Sequence, residues 1–140
     1  MVSQQRLLRR VLVAVDGSPN SRRAAVLAAK LAALCGAEII VVNVISVPLQ
    51  QQQFSRDIRA GANKLVRMVA STCHSKGLKT STKIIEASSV VEAIVNYAAD
   101  KKINLIVIGT RGLTGFKKLL MGSVSAGVLS HAHCAVLVVR

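Results

Sequence analysis

Short apolar runs alternate along the chain with stretches in which apolar residues recur every three or four positions. The apolar runs predict strands over residues 10–15, 39–45, 80–86, 104–108 and 134–139. The periodic stretches between them predict helices over residues 19–35, 54–73, 89–101 and 124–131. Strands that alternate with helices are typical of an open parallel sheet with helices on both faces, and thus of an α/β fold. The third run is more polar than the others, so we expect it at an edge of the sheet.

Local motifs predict where several helices begin and end. Ser18 is placed to cap the first helix, with Pro19 at its first position, where the missing N–H costs nothing. Gly36 is placed to end that helix. Either Ser88 or Ser89 is placed to cap the third helix.

The composition is consistent with one domain that has a hydrophobic core. The chain has 140 residues, of which 51% are apolar and only 2% aromatic, so Val, Ile, Leu and Ala must fill the core. We expect a single domain over residues 1–140, with residues 1–9 as a flexible basic N-terminal segment.

No apolar run reaches the length needed to span a bilayer, and the basic first ten residues lack the apolar region of a signal peptide. We therefore expect a cytoplasmic protein with no membrane partner. Cys35, Cys73 and Cys134 are far apart and odd in number, which favours buried free thiols over disulfides or a metal knuckle.

The formal net charge of +13 creates a field that attracts nucleotides, nucleic acid and anionic lipid. The cations are spread along the whole chain. Phe54, Tyr97 and Phe116 are the only aromatic residues, so a stacking platform for single strands is poorly supported. We interpret the charge as a solvated basic surface and do not expect nucleic acid as the main partner.

The glycine-rich segment after the fourth predicted strand is the best candidate for a binding site. Gly109 and Gly112 are followed, after nine intervening residues, by Gly122 and Ser123. A strand, a glycine-rich loop and a helix start form an arrangement that presents backbone N–H groups to a phosphate. The glycines would let the backbone approach that phosphate without an intervening side chain.

Other residues near the predicted carboxyl ends of the strands fit the same ligand. If the first and fourth strands are neighbours, Asp16 faces the glycine loop and can accept hydrogen bonds from ribose hydroxyls. The Ser123 hydroxyl and N–H, at a helix start, and the Arg111 charge would add phosphate contacts. A plainer interpretation remains open, in which Asp16 belongs only to a turn and the glycines are ordinary turn residues.

Two common nucleotide motifs are missing from the sequence. No G-x-x-x-x-G-K-[ST] segment is present, which argues against a Walker-type P-loop, and no G-x-G-x-x-G follows the first strand. No catalytic constellation emerges, and no side chains suggest a direct metal site.

The chain resembles an ATP-binding universal stress protein domain over essentially its whole length. The residues that carry the resemblance are 11–18, 105–112, 122–125 and 134–139. The spacing G-x2-G-x9-G-[ST], which marks nucleotide-binding members of that family, is complete. Asn104 stands where the family often has Asp, and we interpret it as a structural residue at the start of a strand.

The resemblance implies roles for individual residues. Asp16 would contact the ribose, and Ala14 and Val15 would lie near the base. Val44 would line the adenine pocket and offer backbone hydrogen bonds. The residues implied to wrap the sugar and phosphates are Gly109, Thr110, Arg111 and Gly112. Those implied to hold the phosphate chain are Gly122, Ser123, Val124 and Ser125.

The resemblance also implies the fold, the cofactors and the assembly. The fold would be Rossmann-like, of the adenine-nucleotide alpha hydrolase-like type, with strand order 3-2-1-4-5. The ligand would be ATP or another adenine nucleotide such as cyclic AMP, with Mg²⁺ neutralising part of the phosphate charge. A homodimer would form through the fifth strand, at Ala135–Val139.

The function expected from these features is that of a nucleotide-dependent sensor or switch in stress response. Two alternatives remain open at this point. One is a slow ATPase or nucleotide-transfer enzyme, for which the sequence offers no evident general base. The other is a basic scaffold or nucleic-acid binder whose pocket stays vacant.

Overall fold

The computed structural model describes residues 7–48, 50, 56–110 and 121–140. Within these ranges the strands are β1 (Arg10–Ala14), β2 (Glu38–Ser46), β3 (Thr80–Ala87), β4 (Leu105–Gly109) and β5 (Ala135–Val139). The helices are α1 (Pro19–Cys35), α2 (Arg56–Ser75), α3 (Val90–Asp100) and α4 (Ser123–His131). Strands and helices alternate as the sequence pattern predicts, and the boundaries that lie within the described residues agree with the prediction to within two residues. The predicted start of the second helix, at residue 54, lies outside the described residues.

The five strands form one parallel sheet in the order β3-β2-β1-β4-β5, which confirms the predicted fold and places β3 at an edge. Val11 on the central strand pairs with Ile39 of β2 and with Leu105 of β4. Because all strands are parallel, their last residues share one edge of the sheet, called here the carboxyl edge. Their first residues share the opposite edge, called the amino edge.

Both faces of the sheet are covered, which explains why the strands are apolar runs rather than alternating patterns. Val11 and Val13 of β1 pack in a core with α1 and α2. Leu12, on the other face, packs in a second core with α3 and α4. None of the helices in the described ranges is both long and apolar enough to cross a membrane.

The helix boundaries follow the predicted motifs. The Ser18 hydroxyl oxygen accepts a hydrogen bond from Ser21 N–H at 3.1 Å, with Pro19 in the first turn. Gly36 ends α1 with φ 66°, in the left-handed region that favours glycine. Of the two serines considered for α3, Ser89 is the cap, and its hydroxyl accepts from Glu92 N–H at 3.2 Å.

Asn43 corrects the prediction of a fully apolar second strand. It is buried within β2, at 9% exposure, and its Nδ2 donates a hydrogen bond of 2.7 Å to the Val15 carbonyl. Since a buried amide without a partner is costly, this bond both satisfies Asn43 and fixes the chain beyond the end of β1.

Asn104 has the structural role that we expected. Its Oδ1 accepts hydrogen bonds from Arg9 N–H at 2.8 Å and Arg10 N–H at 2.9 Å, which joins the starts of β1 and β4. Residues 1–6 of the segment expected to be flexible lie outside the described residues, whereas Leu8 packs against the first core and Arg9 N–H bonds to Asn104, so these two residues are attached to the fold. The single domain over residues 1–140 stays a prediction.

The two helices on the second face approach closely at a glycine. A Cβ at Gly127 of α4 would lie 2.7 Å from Cγ2 and 3.1 Å from Cγ1 of Val91 in α3. By contrast, a Cβ at Gly61 of α2 would meet nothing within 4 Å. The two helical glycines therefore offer a matched pair of sites for the same substitution.

We predict that Gly127→Ala and Gly61→Ala change stability in opposite directions. Gly127→Ala should lower the free energy of unfolding by about 1–3 kcal/mol, because the added methyl group overpacks the contact with Val91. Gly61→Ala should raise it by up to about 1 kcal/mol, since alanine is the better helix former. Urea titrations of both variants measure these changes, and a stabilising Gly127→Ala would contradict the packing of α3 on α4.

Candidate functional site

The carboxyl ends of β1 and β4 form a crevice at the centre of the sheet. From β1 the chain passes to α1 on one face, whereas β4 is followed by α4 on the other face. Val13 pairs with Val107, so Val15 and Gly109 lie level with each other and Asp16 follows at the mouth. Ligands of open α/β sheets bind at such a switch point. Of the predicted site residues, Arg111 and Gly112 lie outside the described residues.

Asp16 is held in a tight turn between β1 and α1. Its Oδ1 accepts a hydrogen bond from Ser18 N–H at 2.9 Å, and its own N–H donates to the Ser21 hydroxyl at 3.3 Å. Gly17 supplies the positive φ of 86° that this turn requires. Asp16 is exposed, and Oδ1 is the carboxylate oxygen that the turn uses. One carboxylate oxygen thus serves the turn, and the other can accept from a ligand.

The three predicted base-contacting residues divide between the two faces of the sheet. The Val15 side chain is buried in the core beneath α1 and α2, at 4% exposure. Ala14 and Val44 are half-buried on the opposite face. Only Ala14 and Val44 therefore share the face on which α4 begins.

The backbone of Val44 is directed towards the crevice. Val42 accepts a hydrogen bond from Val15 N–H at 2.9 Å, so its carbonyl points to the β1 side of β2. The direction of backbone groups repeats every second residue along a strand, so Val44 also directs its N–H and C=O to that side. Since β1 ends at Ala14, these groups lie beyond the end of the neighbouring strand.

Thr110 connects the end of β4 with the start of α4. Its carbonyl accepts a hydrogen bond from Gly122 N–H at 2.5 Å and another from the Ser125 hydroxyl at 3.0 Å. Its N–H donates to the Val139 carbonyl at 2.8 Å. The glycine-rich segment therefore leaves the sheet and returns to α4 at one point.

The first turn of α4 offers N–H groups to a ligand. Gly122 is the N-cap and contributes no side-chain hydrogen bond to the turn. Ser123 is exposed, whereas Ser125 is buried and its hydroxyl is within 3.0 Å of both the Thr110 and Gly122 carbonyls. An uncapped helix N-terminus has unpaired donors and a positive partial charge, both of which favour an anion. A contact between Ser125 and phosphate would fall to its backbone N–H.

Gly109 is glycine for a reason that the sequence did not reveal. We attributed it to the approach of phosphate, but a Cβ at Gly109 would lie 2.8 Å from the Asn20 carbonyl carbon and 3.0 Å from its Cβ. The first turn of α1 thus occupies the space that a side chain would need. This packing constraint accounts for the glycine without any ligand.

Asn20 and Arg23 are site residues that sequence reasoning missed. Asn20 Nδ2 donates to the Thr110 hydroxyl at 2.8 Å, and the Arg23 guanidinium donates to Asn20 Oδ1. Arg23 Nε also donates to the Arg140 carbonyl at 2.9 Å, beside the end of β5. No motif signals this network because Asn20 and Thr110 are 90 residues apart in sequence.

The thiols take no part in this crevice. Cys73 is buried as predicted, whereas Cys35 and Cys134 are half-buried, and all three are free. Burial raises the pKa of the Cys73 and Cys134 thiols, which keeps them protonated and weakly reactive. No group of three or more His, Cys, Asp or Glu residues within the described ranges is placed to hold a metal ion.

Comparison with known proteins gives a consistent result across the chain. The profile of the universal stress protein family matches residues 8–140. A universal stress protein of Methanocaldococcus jannaschii is 32% identical, and the match covers 97% of this chain and 84% of that relative.

Solved structures show the same fold. A universal stress protein in complex with cAMP is 25% identical, with a TM-score of 0.76 over 96% of this chain and 98% of that one. A universal stress protein from Archaeoglobus fulgidus in complex with dAMP is 21% identical, with a TM-score of 0.76 over 97% of this chain and 100% of that one. Structural neighbours of this chain thus bind adenine nucleotides.

We predict that Gly109→Ala destabilises the fold whether or not a ligand is present. The added methyl group would force the first turn of α1 away from β4 and lower the free energy of unfolding by about 1–3 kcal/mol. Urea titration without nucleotide measures the effect, with Gly61→Ala as the control substitution. Wild-type stability of Gly109→Ala would show that α1 and β4 tolerate a side chain between them.

Proposed function

The chain belongs to the universal stress protein family, and on this premise we propose that it binds ATP at the carboxyl edge and acts as a nucleotide-dependent switch in stress response. The observation that carries the proposal is the uncapped N-terminus of α4, which begins at the crevice that Asp16 borders. The proposed cellular setting is the cytoplasm. Hydrolysis of the nucleotide is not part of the proposal.

The phosphate chain would lie against the first turn of α4. The N–H groups of Ser123 and Val124 precede the first residue that bonds within the helix, since Ala126 N–H already donates to the Gly122 carbonyl. Backbone donors at a helix start bind phosphate without the motion or desolvation of a long side chain. The exposed Ser123 hydroxyl adds a further donor.

The nucleoside would extend from the mouth of the crevice across the end of β1 towards the end of β2. Asp16 Oδ2 would accept hydrogen bonds from the ribose hydroxyls while Oδ1 stays bound to Ser18 N–H. The Val44 backbone would pair with the edge of the base, and the half-buried side chains of Ala14 and Val44 would contact its face. The adenine nucleotides bound by structural neighbours support an adenine ligand, and we propose ATP as that ligand.

Mg²⁺ would accompany ATP as a complex with the phosphates. The described residues provide no cluster of carboxylates and imidazoles for a metal, so the phosphate oxygens and water would supply its ligands. The ion would offset part of the triphosphate charge.

The switch would operate through Thr110. This residue lies between the phosphate site and a hydrogen-bond network that runs through Asn20 and Arg23 to Arg140 at the end of β5. A ligand that shifts Thr110 or α4 would change the contacts at that end of the sheet. We therefore propose that partner proteins bind to the surface near β5 and respond to this change.

A homodimer through β5 is part of the proposal. β5 is the other edge strand, and its residues are apolar and exposed or half-buried. Thr110 N–H donates to the Val139 carbonyl, so Val139 faces β4, whereas Val136 and Val138 direct their backbone groups to the open edge. An apolar edge with unpaired backbone groups is a template for pairing with a second chain.

We predict that ATP with Mg²⁺ binds the protein and that Ser123→Pro abolishes or strongly weakens binding. Proline is favoured at the first position of a helix, and Gly122 already has the extended conformation it requires, with φ −72° and ψ 162°. The variant therefore removes one N–H and one hydroxyl from the phosphate site while leaving α4 intact. Isothermal titration measures the affinity, and we expect a loss of about tenfold or more.

Asp16→Asn tests the ribose end of the same site. The amide keeps an oxygen for Ser18 N–H but loses the charge and one acceptor, so we expect about tenfold weaker binding with unchanged stability. Asp57→Asn, an exposed carboxylate in the first turn of α2, is the matched control and should bind as wild type. No heat from wild-type protein at millimolar nucleotide would refute the proposal.

We predict that the protein is a dimer in solution and that Val136→Pro converts it to a monomer. Proline removes an N–H that faces the open edge and costs no bond to β4. Val136→Thr keeps that N–H and the branched side chain, so it should stay dimeric. Light scattering after size-exclusion chromatography gives the mass, and a dimer that survives Val136→Pro would place the interface elsewhere.

A further inference from the structure

The amino edge of the sheet carries a group of exposed cations that the nucleotide site does not use. They belong to three connections: the chain entering β1, the turn between α2 and β3, and the turn between α3 and β4. We call this group the basic edge; its members are Arg9, Arg10, Lys76, Lys79, Lys101 and Lys102. It lies at the end of the strands opposite the α4 N-terminus.

Direct contacts show that these connections form one surface. Arg10 Nε lies 2.5 Å from Glu38 Oε1, and Lys79 Nζ lies 3.3 Å from Glu38 Oε2. Arg10 also donates from its guanidinium to the Lys101 carbonyl at 2.7 Å. The basic edge therefore follows the starts of β3, β2, β1 and β4, a width of about 15 Å at the usual strand spacing.

The basic edge has more positive charge than the fold neutralises. Glu38 is shared by two cations, whereas Arg9, Lys76, Lys101 and Lys102 form no ion pair with any carboxylate in the described ranges. The C-termini of α1, α2 and α3 end at this edge and offset part of the charge with their partial negative charges. An attraction for anions remains.

The two most exposed large apolar side chains of the described residues lie at the same edge. Leu7 is 86% exposed and precedes Arg9 by two residues. Leu34 is 85% exposed in the last turn of α1. Its neighbour Ala33 lines a groove of about 780 Å³ together with Arg9 and Lys76. The amino edge therefore presents both exposed apolar side chains and exposed cations to solvent.

We propose that the basic edge, with Leu7 and Leu34, docks on a membrane surface that contains anionic lipids. The cations contact the phosphate headgroups, and the two leucines enter the boundary between headgroups and acyl chains. The sequence led us to expect no membrane partner because no segment can span a bilayer, but surface docking needs no such segment. The carboxyl edge faces away from the bilayer in this arrangement, so nucleotide binding and docking are compatible.

A nucleic acid fits this surface less well. Phosphate backbones would satisfy the cations but leave both leucines without a role. Tyr97, the only aromatic residue of α3, already has Lys101 Nζ 5.9 Å from its ring centroid, so no stacking platform is offered to bases. Leu7 and Leu34 therefore distinguish the two candidate partners, because only a membrane offers them an apolar environment.

Flotation with lipid vesicles tests the proposal on the full chain. Wild-type protein should float with vesicles of phosphatidylcholine containing about one-third phosphatidylglycerol and stay unbound with phosphatidylcholine alone. The double variant Lys76→Gln/Lys101→Gln should bind about 25-fold more weakly, about fivefold for each cation. Leu7→Ser/Leu34→Ser should weaken binding by about tenfold or more.

The matched control is Lys64→Gln/Arg67→Gln, which removes two exposed cations from the outer face of α2, away from the basic edge. It should bind vesicles nearly as wild type, because the charge it loses does not touch the membrane. All substituted side chains are exposed, so each variant should keep the wild-type unfolding midpoint.

Three outcomes would overturn the proposal. One is wild-type protein that does not float with the anionic vesicles. Another is an equal loss of binding in the α2 control, which would mean that net charge alone is responsible. The third is unchanged vesicle binding by Leu7→Ser/Leu34→Ser. If that variant also binds a DNA duplex as tightly as the wild-type protein does, the basic edge binds polyanions in general.

Discussion

The close approach of the first turn of α1 to the end of β4 is the contact on which the candidate site depends. The backbone of Asn20 occupies the position that a side chain at residue 109 would fill. The Asn20 amide then reaches the Thr110 hydroxyl, and the Thr110 carbonyl holds Gly122 and Ser125. The starts of α1 and α4, which lie on opposite faces of the sheet, are thereby fixed relative to each other. A ligand between them meets preformed donors.

The parallel direction of the strands gives the two edges of the sheet different chemistry. Helix N-termini, with their positive partial charges, meet the carboxyl edge, and helix C-termini, with their negative partial charges, meet the amino edge. Backbone groups favour anions at the carboxyl edge. At the amino edge, anions are favoured only if the positive charge of the side chains is larger than the negative partial charge of the helix C-termini. In the two proposals made above, backbone groups would bind a small phosphate ligand at the carboxyl edge, and side-chain cations would bind an extended anionic surface at the amino edge.

The sequence predicted the elements well because the signals were local. Apolar runs, helical periodicity and the caps at Ser18 and Gly36 each involve residues within a few positions of one another. The strand order followed from the resemblance to a known family, and the structure confirms it. Asn43 was overlooked because its neighbours in β2 are apolar and its partner, Val15, lies 28 residues away.

The sequence indicated a candidate site at the carboxyl ends of the strands but not the contacts within it. Motif spacing indicated the glycine segment and Ser123, and the position after the first strand indicated Asp16. Arg23 and Asn20 belong to no such pattern, and their role depends on the packing of α1 against β4 and β5. The same packing explains Gly109, because a side chain there would clash with the backbone of Asn20 whether or not a ligand is bound.

The sequence by itself thus determined the alternation of elements and the burial of the sheet on both faces, and it indicated a candidate phosphate-binding segment. Periodicity, capping and motif spacing are properties of neighbouring residues, so they can be recognised from the sequence without the fold. The tertiary structure alone decided why residue 109 has no side chain. It also decided that cations from three distant connections meet beside Leu7 and Leu34. These are relations between residues far apart in sequence, and only the closing of the parallel sheet brings them within contact distance.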